Sequence, residues 1–311
     1  MRTRFAPSPT GDLHLGGAWT ALASWVLARA RGGRVVLRVE DLDPPRVVAG
    51  SAARVAEDLT WLGLDWDEGP DVGGPFAPYT QSERAARYAA AVDALDALGL
   101  VYPCDCSRKD IARAASAPHA GEELRYPGTC RDAPRGRAMK REPALRLRVP
   151  TDARVGFDDG ARGRLDQDVA RDVGDFVLRR ADGVYAYQLA VAVDDAHMQI
   201  THVVRAVDLL ASTPRQLLLL RLLGMHEPSY VHVPLVLDAD GRRLAKRAPR
   251  ETVRALREAG VTPAQILGRL AQGLGLRDTD EPATAAEITR DAESREIAWT
   301  RDDWRAPTTW E

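Results

Sequence analysis

The chain begins with short apolar strands that alternate with longer helical segments, and this alternation limits the folds available to it. A strand at Thr3–Phe5 leads through a loop rich in proline and glycine to an apolar helix at Gly16–Ala30. A β-branched strand at Val35–Val39 and a second helix at Ser51–Leu62 repeat the unit. Strand–helix–strand alternation is typical of a parallel sheet covered by helices. We therefore predict an α/β fold.

The rest of the chain continues this alternation after one interruption. Residues 101–172 contain three cysteines, a stretch rich in proline, glycine and arginine, and one alternating strand, which together predict an inserted subdomain. Before it we predict a helix at 82–98, and after it sheet from 176–178 through Tyr187 to Asp195 and a strand at 200–204. A helix at 215–223 would be capped by Thr213 and Pro214. A strand at 231–237 and a helix after Thr262 and Pro263 complete the predicted elements. We expect the last 30 or so residues, which are charged and threonine-rich, to be loosely ordered.

These patterns divide the 311 residues into four parts. Residues 1–100 and 173–237 form the two halves of the sheet domain, and residues 101–172 form the insertion between them. Residues 238–311 form a basic loop, a helical region and a flexible tail.

Composition excludes several classes of protein. A hydrophobic fraction of 45% against 28% charged residues argues against disorder. No apolar run approaches the ~18–20 residues that a membrane span requires, and the N-terminus lacks the apolar segment of a secretory signal. We therefore expect a cytoplasmic protein with no membrane partner.

The three cysteines, Cys104, Cys106 and Cys130, lie close together in the sequence. In a chain without a secretory signal this clustering favours a metal over disulfides, since cytoplasmic thiols stay reduced. Three thiolates and one oxygen or nitrogen donor would form a closed tetrahedral site, typical of structural zinc. His119 is a candidate for the fourth ligand because imidazole is a common zinc donor. The alternative is three unrelated buried cysteines.

The loop from Pro7 to Gly17 follows the first strand and opens the first helix. Parallel sheets bind phosphates at such a position, because free backbone N–H groups and the helix dipole point at the ligand. Gly16 and Gly17 would let a large ligand approach the backbone, and His14 could donate to a phosphate. The alternative is an ordinary glycine-rich turn.

A basic run, Arg243–Arg247, follows a turn at Asp240 and Gly241. A mobile basic loop can close over a triphosphate and stabilise the charge that develops during phosphoryl or nucleotidyl transfer. Taken alone, the run is more typical of a solvated basic turn.

Together the two segments resemble the paired signatures of class I aminoacyl-tRNA synthetases. His14-Leu15-Gly16-Gly17 is similar to the first signature, usually HIGH, and Arg243-Leu244-Ala245-Lys246-Arg247 to the second, usually KMSKS. Three further segments are spelled much as in glutamyl-tRNA synthetases: Arg4–Gly11, Arg38–Asp43 and His202–Arg205. The resemblance covers roughly residues 3–250 and implies a Rossmann-like catalytic domain of the class I synthetase type.

Chain length then separates the branches of that family. Only 64 residues follow Arg247, whereas a full glutamyl-tRNA synthetase continues into a long helical anticodon-binding region. The chain therefore resembles the glutamyl-queuosine tRNA(Asp) synthetases, the short paralogues that lack that region. Val191 favours the same branch, since an Asn is usual there in full-length glutamyl enzymes. This resemblance implies activation of L-glutamate by ATP with Mg²⁺ and its transfer to queuosine in the anticodon of tRNA(Asp).

The resemblance also implies roles for individual residues. His14 and Lys246 would stabilise the reacting phosphorus. The glutamate pocket would consist of Arg4, Phe5, Ala6, Pro7, Ser8, Glu40, Tyr187 and Arg205. The ATP site would consist of His14, Gly16, Gly17, Arg243, Leu244, Ala245, Lys246 and Arg247. Structural zinc would be held by Cys104, Cys106, Tyr126 and Cys130, with Tyr126 preferred over His119 on the resemblance alone.

Two departures and two alternatives accompany this interpretation. Ala245 stands where the second signature usually has Ser, which removes a hydroxyl contact to the phosphates, and Gly17 replaces the second His of the first signature. One alternative is a truncated glutamyl-tRNA synthetase that charges the 3′ end of tRNA(Glu). The other is a non-enzymatic paralogue that binds tRNA or an adenylate, a reading that the intact Lys246 disfavours.

Overall fold

The structure is a computed structural model, and it describes residues 1–107, 109–111, 125–134, 136–244, 251–294, 297–307 and 309–310. Its helices and strands follow one another as β1 (Arg2–Phe5), α1 (Leu15–Arg29), β2 (Arg34–Leu37), α2 (Ser51–Leu62), α3 (Ala85–Ala97), β3 (Val101–Cys104), β4 (Ala144–Leu147), β5 (Arg154–Asp159), β6 (Gly163–Asp168), α4 (Val169–Asp172), β7 (Val177–Arg179), α5 (Tyr187–His197), β8 (His202–Ala206), α6 (Thr213–Leu222), β9 (Ser229–Val233), β10 (Val236–Leu237), α7 (Val253–Glu258), α8 (Pro263–Gly273), α9 (Ala285–Glu293) and β11 (Trp304–Arg305).

Parallel strand pairs form the framework, which confirms the predicted α/β class. β1 pairs in parallel with β2, and β8 pairs in parallel with β9. The Thr201 N–H donates to the Arg2 carbonyl at 2.9 Å and brings the two pairs side by side. β5 extends the second pair in parallel, and β6 closes that sheet antiparallel. Because β1, β2 and β8 run in the same direction, their carboxyl ends meet at one edge of the sheet, where α/β proteins bind ligands.

A small antiparallel sheet joins two strands of the insertion to β7, which follows it in the sequence. β3, β4 and β7 lie in that order, and β3 ends at Cys104. The β5–β6 hairpin, which also comes from this part of the sequence, pairs through Asp159 and Tyr230 with the larger sheet. The four-part division of the chain stays a prediction.

Helix α1 occupies the centre of the molecule. Eleven of its fifteen residues are buried, from Leu15 to Ala28. A helix that is apolar on every side must be covered on every side. The sheet covers one face of α1 and helices α8 and α9 cover another, so that Leu22, Leu270 and Ile288 belong to one hydrophobic core.

The prediction of a loosely ordered C-terminal region is wrong for its described residues. Helix α9 begins with a capping box in which the Thr284 hydroxyl and the Glu287 carboxylate satisfy each other's backbone N–H groups. Further along, the Trp304 ring stacks on Trp19 of α1 with 5.3 Å between centroids. Its strand β11 pairs in parallel with β10. Apolar side chains at helical spacing hold this region in place despite its charged composition.

The sheet predicted through Tyr187–Asp195 is also wrong, because this segment is helix α5. All residues from Leu189 to Asp195 are buried. A short apolar run that is buried all round shows neither the period of a strand nor that of a helix, so periodicity cannot distinguish them.

Two smaller predictions also need correction. Helix α6 begins at Thr213 with Ser212 as its N-cap residue, and the Thr213 hydroxyl bonds to Arg205 rather than capping the helix. The strand predicted at 231–237 is divided into β9 and β10, with Pro234 between them. Pro cannot donate a ladder hydrogen bond, which accounts for the interruption. Within the described part of the chain, no helix is long and apolar enough to cross a bilayer.

Candidate active site

A cavity of about 300 Å³ opens at the carboxyl edge of the parallel strands, beside the start of α1. Most residues predicted to bind glutamate or ATP lie on its wall. They are Arg4, Phe5, Ala6, Pro7, Ser8, His14, Gly16, Gly17, Glu40, Tyr187, Arg205 and Arg243. The structure therefore gathers segments that are distant in sequence into one pocket.

The first signature forms the N-terminus of α1. His14 is the N-cap residue, and its Nδ1 accepts a hydrogen bond from the Gly17 N–H at 3.1 Å. An Nδ1 that accepts places the proton of a neutral imidazole on Nε2. Partial positive charge at the helix N-terminus and this N–H donor therefore both favour an anion at this end of the cavity.

The two glycines of the signature permit close packing of its own side chains. A Cβ at Gly16 would lie 3.0 Å from Nδ1 of His14, and a Cβ at Gly17 would lie 2.7 Å from Cδ1 of Leu13. Gly16 therefore lets the His14 ring keep its capping position, and Gly17 leaves room for the Leu13 side chain.

Arg4 reaches the cavity from β1 and is fixed from behind. Its Nε donates to Asp195 at 3.2 Å, and its Nη1 donates to the Val204 carbonyl at 3.2 Å. Although burial alone would raise the pKa of Asp195, the guanidinium groups of Arg4 and Arg38 hold that pKa below its usual range. Asp195 is therefore an ionised anchor beneath the pocket.

Glu40 lies just beyond the end of β2 and offers the cavity a carboxylate. Arg38 Nη2 donates to it at 3.0 Å, and Arg38 Nη1 donates to Asp195 at 2.7 Å. Burial raises the pKa of the Glu40 carboxyl, while Arg38 and Arg4 oppose that shift. Arg38 and Asp195 thus connect Glu40 to Arg4 through a continuous chain of buried ion pairs, which the sequence did not reveal.

Arg205, on β8, is the second arginine of the cavity and is only 4% exposed. Its Nε donates to Nε2 of His232 at 3.0 Å, its Nη2 to the Thr213 hydroxyl at 2.8 Å, and its Nη1 to Oε1 of Gln216 at 2.8 Å. Tyr187, at the start of α5, places its hydroxyl 3.5 Å from Nη1. The sequence did not indicate His232, Thr213 or Gln216 as partners of this arginine.

The second signature is described only in part. Arg243 lines the cavity and forms an ion pair of 2.5 Å with Asp208, which follows β8 and was not predicted to lie in the site. Leu244 is buried in the hydrophobic core, so its side chain anchors the start of the loop. Ala245, Lys246 and Arg247 lie outside the described residues.

The three cysteines come together as predicted. The Sγ atoms of Cys104, Cys106 and Cys130 all lie within 4.8 Å of one another. The Tyr126 hydroxyl lies 3.3 Å from Sγ of Cys104 and 3.8 Å from Sγ of Cys106. His119, the competing fourth ligand, lies outside the described residues. Three sulfur donors and one oxygen donor at this spacing fit a tetrahedral zinc site.

Two guanidinium groups adjoin this cluster. Arg137 Nη2 donates to Sγ of Cys130 at 3.3 Å and also pairs with Asp105, and the guanidinium carbon of Arg146 lies 3.9 Å from the centroid of the Tyr126 ring. Positive charge beside a group of thiols favours their thiolate form, which is the form that binds metal.

Comparison with known proteins places this geometry in a class. Residues 1–303 match the family model described as tRNA synthetases class I (E and Q), catalytic domain. A crystal structure of glutamate-tRNA synthetase from Elizabethkingia anophelis superimposes with a TM-score of 0.85 at 29% identity, covering 99% of this chain and 68% of that one. The predicted class I synthetase catalytic fold is confirmed.

Relatives of similar length narrow the assignment. The chain is 53% identical over 282 residues to glutamyl-Q tRNA(Asp) synthetase from Nitratidesulfovibrio vulgaris, a match that covers 89% of this chain and 87% of the relative. It is 50% identical over 294 residues to the protein of the same name from Symbiobacterium thermophilum, covering 92% and 90%. The chain therefore belongs to the glutamyl-Q tRNA(Asp) synthetase family and is a ligase.

Proposed function

We propose that this enzyme activates L-glutamate with ATP and transfers the glutamyl group to the queuosine base at the wobble position of the tRNA(Asp) anticodon, in the cytoplasm. The observation that carries the proposal is the single cavity in which Arg4, Glu40 and Arg205 lie beside the N-terminus of α1. Such a cavity can hold an amino acid with two carboxylates next to a nucleotide phosphate. The names of its relatives support the queuosine-bearing tRNA as acceptor.

Glutamate carries two carboxylates and one ammonium group, and the cavity offers charges that match them. Arg4 and Arg205 would bind the carboxylates, because a guanidinium group can donate two parallel hydrogen bonds to a carboxylate. Glu40 would accept from the α-ammonium group. Tyr187 and the loop from Phe5 to Ser8 would enclose the rest of the amino acid.

Activation is a displacement at the α-phosphorus of ATP. A carboxylate oxygen of glutamate forms a bond to that phosphorus while the bond to the bridging oxygen breaks, releasing pyrophosphate and leaving glutamyl-adenylate. The extra negative charge on the phosphoryl oxygens would be stabilised by Nε2–H of His14, the α1 N-terminus and the Lys246 ammonium group. Gly16, Gly17, Arg243, Leu244, Ala245 and Arg247 would form the remaining ATP site. Mg²⁺ would enter with the phosphates of ATP.

Transfer then needs no protein nucleophile. A hydroxyl of the queuosine cyclopentene ring attacks the activated carbonyl, forming an ester and releasing AMP. The hydroxyl proton leaves with the departing phosphate group or through solvent. Correct placement of the two reactants can supply much of the rate, as in other reactions between bound partners.

Structural zinc would be held by Cys104, Cys106, Cys130 and Tyr126. The ion would link the end of β3 to the segment around Cys130 and so stabilise the fold of the insertion. No step of the reaction depends on it.

The test is transfer of labelled glutamate, with ATP and Mg²⁺, onto bulk tRNA from cells that contain queuosine and from cells that lack it. We expect label only on queuosine-containing tRNA, located on tRNA(Asp) and released by mild alkali as expected for an ester. The Lys246→Ala variant is the matched inactive control.

Other outcomes point to other functions. Equal labelling of both tRNA pools at the 3′ end would overturn the proposal in favour of a glutamyl-tRNA synthetase that charges tRNA(Glu). Glutamate-dependent exchange of pyrophosphate into ATP without label on either pool would retain the activation step and reject queuosine as the acceptor.

A further inference from the structure

Arg205 is held by a buried polar chain that starts outside the cavity. His232 of β9 accepts from its Nε at 3.0 Å, and Nδ1 of His232 lies 2.5 Å from Oδ2 of Asp159 at the end of β5. His232 and Asp159 are 0% and 4% exposed, and neither lines the cavity. We propose that Asp159 and His232 are positioning residues that orient Arg205 for the carboxylate of glutamate. This inference rests on the proposed function of the cavity.

Proton positions in this chain follow from its geometry. A carboxylate only accepts hydrogen bonds, so His232 carries its proton on Nδ1 and leaves Nε2 as an acceptor for Arg205. Burial lowers the pKa of His232, which keeps the imidazole neutral. In this tautomer the lone pair on Nε2 points at the Nε–H of Arg205. In other buried Asp–His pairs, too, the carboxylate fixes the tautomer and orientation of the imidazole.

Asp159 is itself fixed by the backbone. Its Oδ1 accepts from the N–H groups of Ala161, Arg162 and His232 at 3.0, 2.9 and 3.2 Å. Burial alone would raise the pKa of Asp159, but the His232 hydrogen bond and these backbone donors hold it below its usual range. The carboxylate is therefore ionised, and the turn between β5 and β6 sets its orientation.

Further contacts leave Arg205 one orientation. Thr213 accepts from Nη2 at 2.8 Å and lies 3.1 Å from Nε2 of His232, to which its hydroxyl can donate. The guanidinium carbon lies 5.3 Å from the centroid of the Tyr230 ring, which in turn stacks on His232. With Gln216 on Nη1, the described residues engage three of the five guanidinium N–H groups at 3.0 Å or less. Nη1 also reaches the Tyr187 hydroxyl, but only at 3.5 Å, so a carboxylate can take that long contact together with the second N–H of Nη2.

The decisive variant is Asp159→Asn. The three backbone donors require the amide oxygen of Asn on the Oδ1 side, so its NH₂ group faces Nδ1 of His232. The imidazole must then accept at Nδ1 and carry its proton on Nε2, where it meets the Arg205 Nε–H donor. We expect the KM for glutamate in pyrophosphate exchange to rise roughly tenfold or more, because Arg205 loses a hydrogen bond to its charged group. The KM for ATP is expected to change little, since Arg205 is proposed to bind glutamate and not ATP.

A double-mutant cycle separates positioning from general damage. If Asp159 acts through Arg205, then Asp159→Asn adds little to the KM for glutamate in an Arg205→Lys background, because the coupling between the two sites has already been removed. Asp175→Asn is the matched control. Asp175 is 6% exposed and accepts from the Tyr102 hydroxyl and the Val149 N–H of the insertion, at 2.7 and 2.8 Å. We expect it to leave the KM for glutamate unchanged.

His232→Gln and His232→Leu provide a second test that does not depend on the folding of Asp159→Asn. Gln can place an acceptor near Nε2 and keep part of the affinity for glutamate, whereas Leu cannot. Equal glutamate KM values for this pair, or additive effects in the cycle, would overturn the inference. Absence of glutamate-dependent pyrophosphate exchange in the wild-type protein would instead overturn the proposed function. Failure of this inference and failure of the proposed function are therefore distinguishable.

Discussion

Arg38 and Asp195 form an ion pair of 2.7 Å in which the two side chains are 0% and 3% exposed. The pair joins the strand that leads to Glu40 with the helix behind Arg4, although the two residues lie 157 positions apart. Its carboxylate also accepts from Arg4, so Asp195 is shared between two buried guanidinium groups. The same carboxylate therefore stabilises the buried ion pairs and holds the Arg4 side chain of the cavity wall.

The Asp195→Asn variant is expected to lose about 3–5 kcal/mol of unfolding free energy, because removal of one partner leaves buried charges without compensation. Urea denaturation at pH 7 measures this loss. The control is Asp166→Asn, since Asp166 pairs with Arg164 at 3.1 Å on the surface and its loss is expected to cost less than about 1 kcal/mol. Comparable losses for the two variants would show that Asp195 has no such structural role.

A methyl group at Gly16 is expected to displace His14. The added Cβ would lie 3.0 Å from Nδ1 of the imidazole, which is tighter than a normal contact, and the ring would leave its capping position. We expect kcat/KM for ATP in pyrophosphate exchange to fall about tenfold or more for Gly16→Ala. Thermal stability changes little, since Ala favours a helix over Gly by roughly 0.5–1 kcal/mol and offsets the lost cap.

The double variant His14→Ala/Gly16→Ala tests the cause of that effect. If Gly16→Ala acts by moving His14, the double variant is expected to be no slower than His14→Ala alone. A further fall of the same size in the double variant would contradict this explanation and place the effect in the backbone.

The zinc proposal predicts a hierarchy among the ligand variants. Protein purified without chelator is expected to contain a stoichiometric amount of zinc, and Cys130→Ser to contain much less, as measured by emission spectrometry. Tyr126→Phe is expected to weaken zinc binding by roughly ten- to a hundredfold in competition with a chromogenic chelator. Tyr102→Phe is the matched control, because this buried tyrosine bonds to Asp175 rather than to a cysteine. Equal affinities of the two tyrosine variants would remove Tyr126 from the ligand set.

Much of the fold could be predicted because its elements carry local signals. Alternating strands and helices at the N-terminus, separated by proline and glycine, predicted β1, α1, β2 and α2 to within a few residues. Helix α5 could not be distinguished from sheet, since its residues are buried on all sides. The C-terminal helix α9 does carry a signal, the capping box of Thr284 and Glu287, but its charged composition is equally typical of a loosely ordered segment.

The cavity wall was predictable for a different reason. Signature residues such as His14 and Glu40 lie within short motifs, so a family resemblance identifies them. The buried residues that hold these side chains in place do not lie within such motifs. Asp195 meets Arg38, and His232 meets Arg205, only after the chain has folded, and single buried charges at such separations follow no local pattern. Short motifs therefore predict residues of the cavity wall, but they do not predict the buried residues that hold those side chains in place.

Asp58 of α2 makes the final prediction, which concerns pH. Its side chain is fully buried, and neither carboxylate oxygen has a hydrogen bond among the described residues, although Arg254 lies 3.5 Å away. Burial raises the pKa of Asp58 to about 6, above the value of roughly 4 expected in the unfolded chain. Between these values the folded state binds the proton and the unfolded state does not, so this group lowers stability as pH rises from about 4 to 6.

The Asp58→Asn variant removes that titration. The difference in unfolding free energy, variant minus wild type, is expected to be about 1–3 kcal/mol larger at pH 7.5 than at pH 4. Urea denaturation of both proteins at both pH values measures this difference. Glu57→Gln is the matched control on the same helix, because Glu57 is exposed and pairs with Arg254 at 2.8 Å. It is expected to shift stability by less than about 1 kcal/mol at either pH. A difference between Asp58→Asn and wild type that is the same at both pH values would mean that Asp58 is ionised throughout this range and that Arg254 compensates its charge.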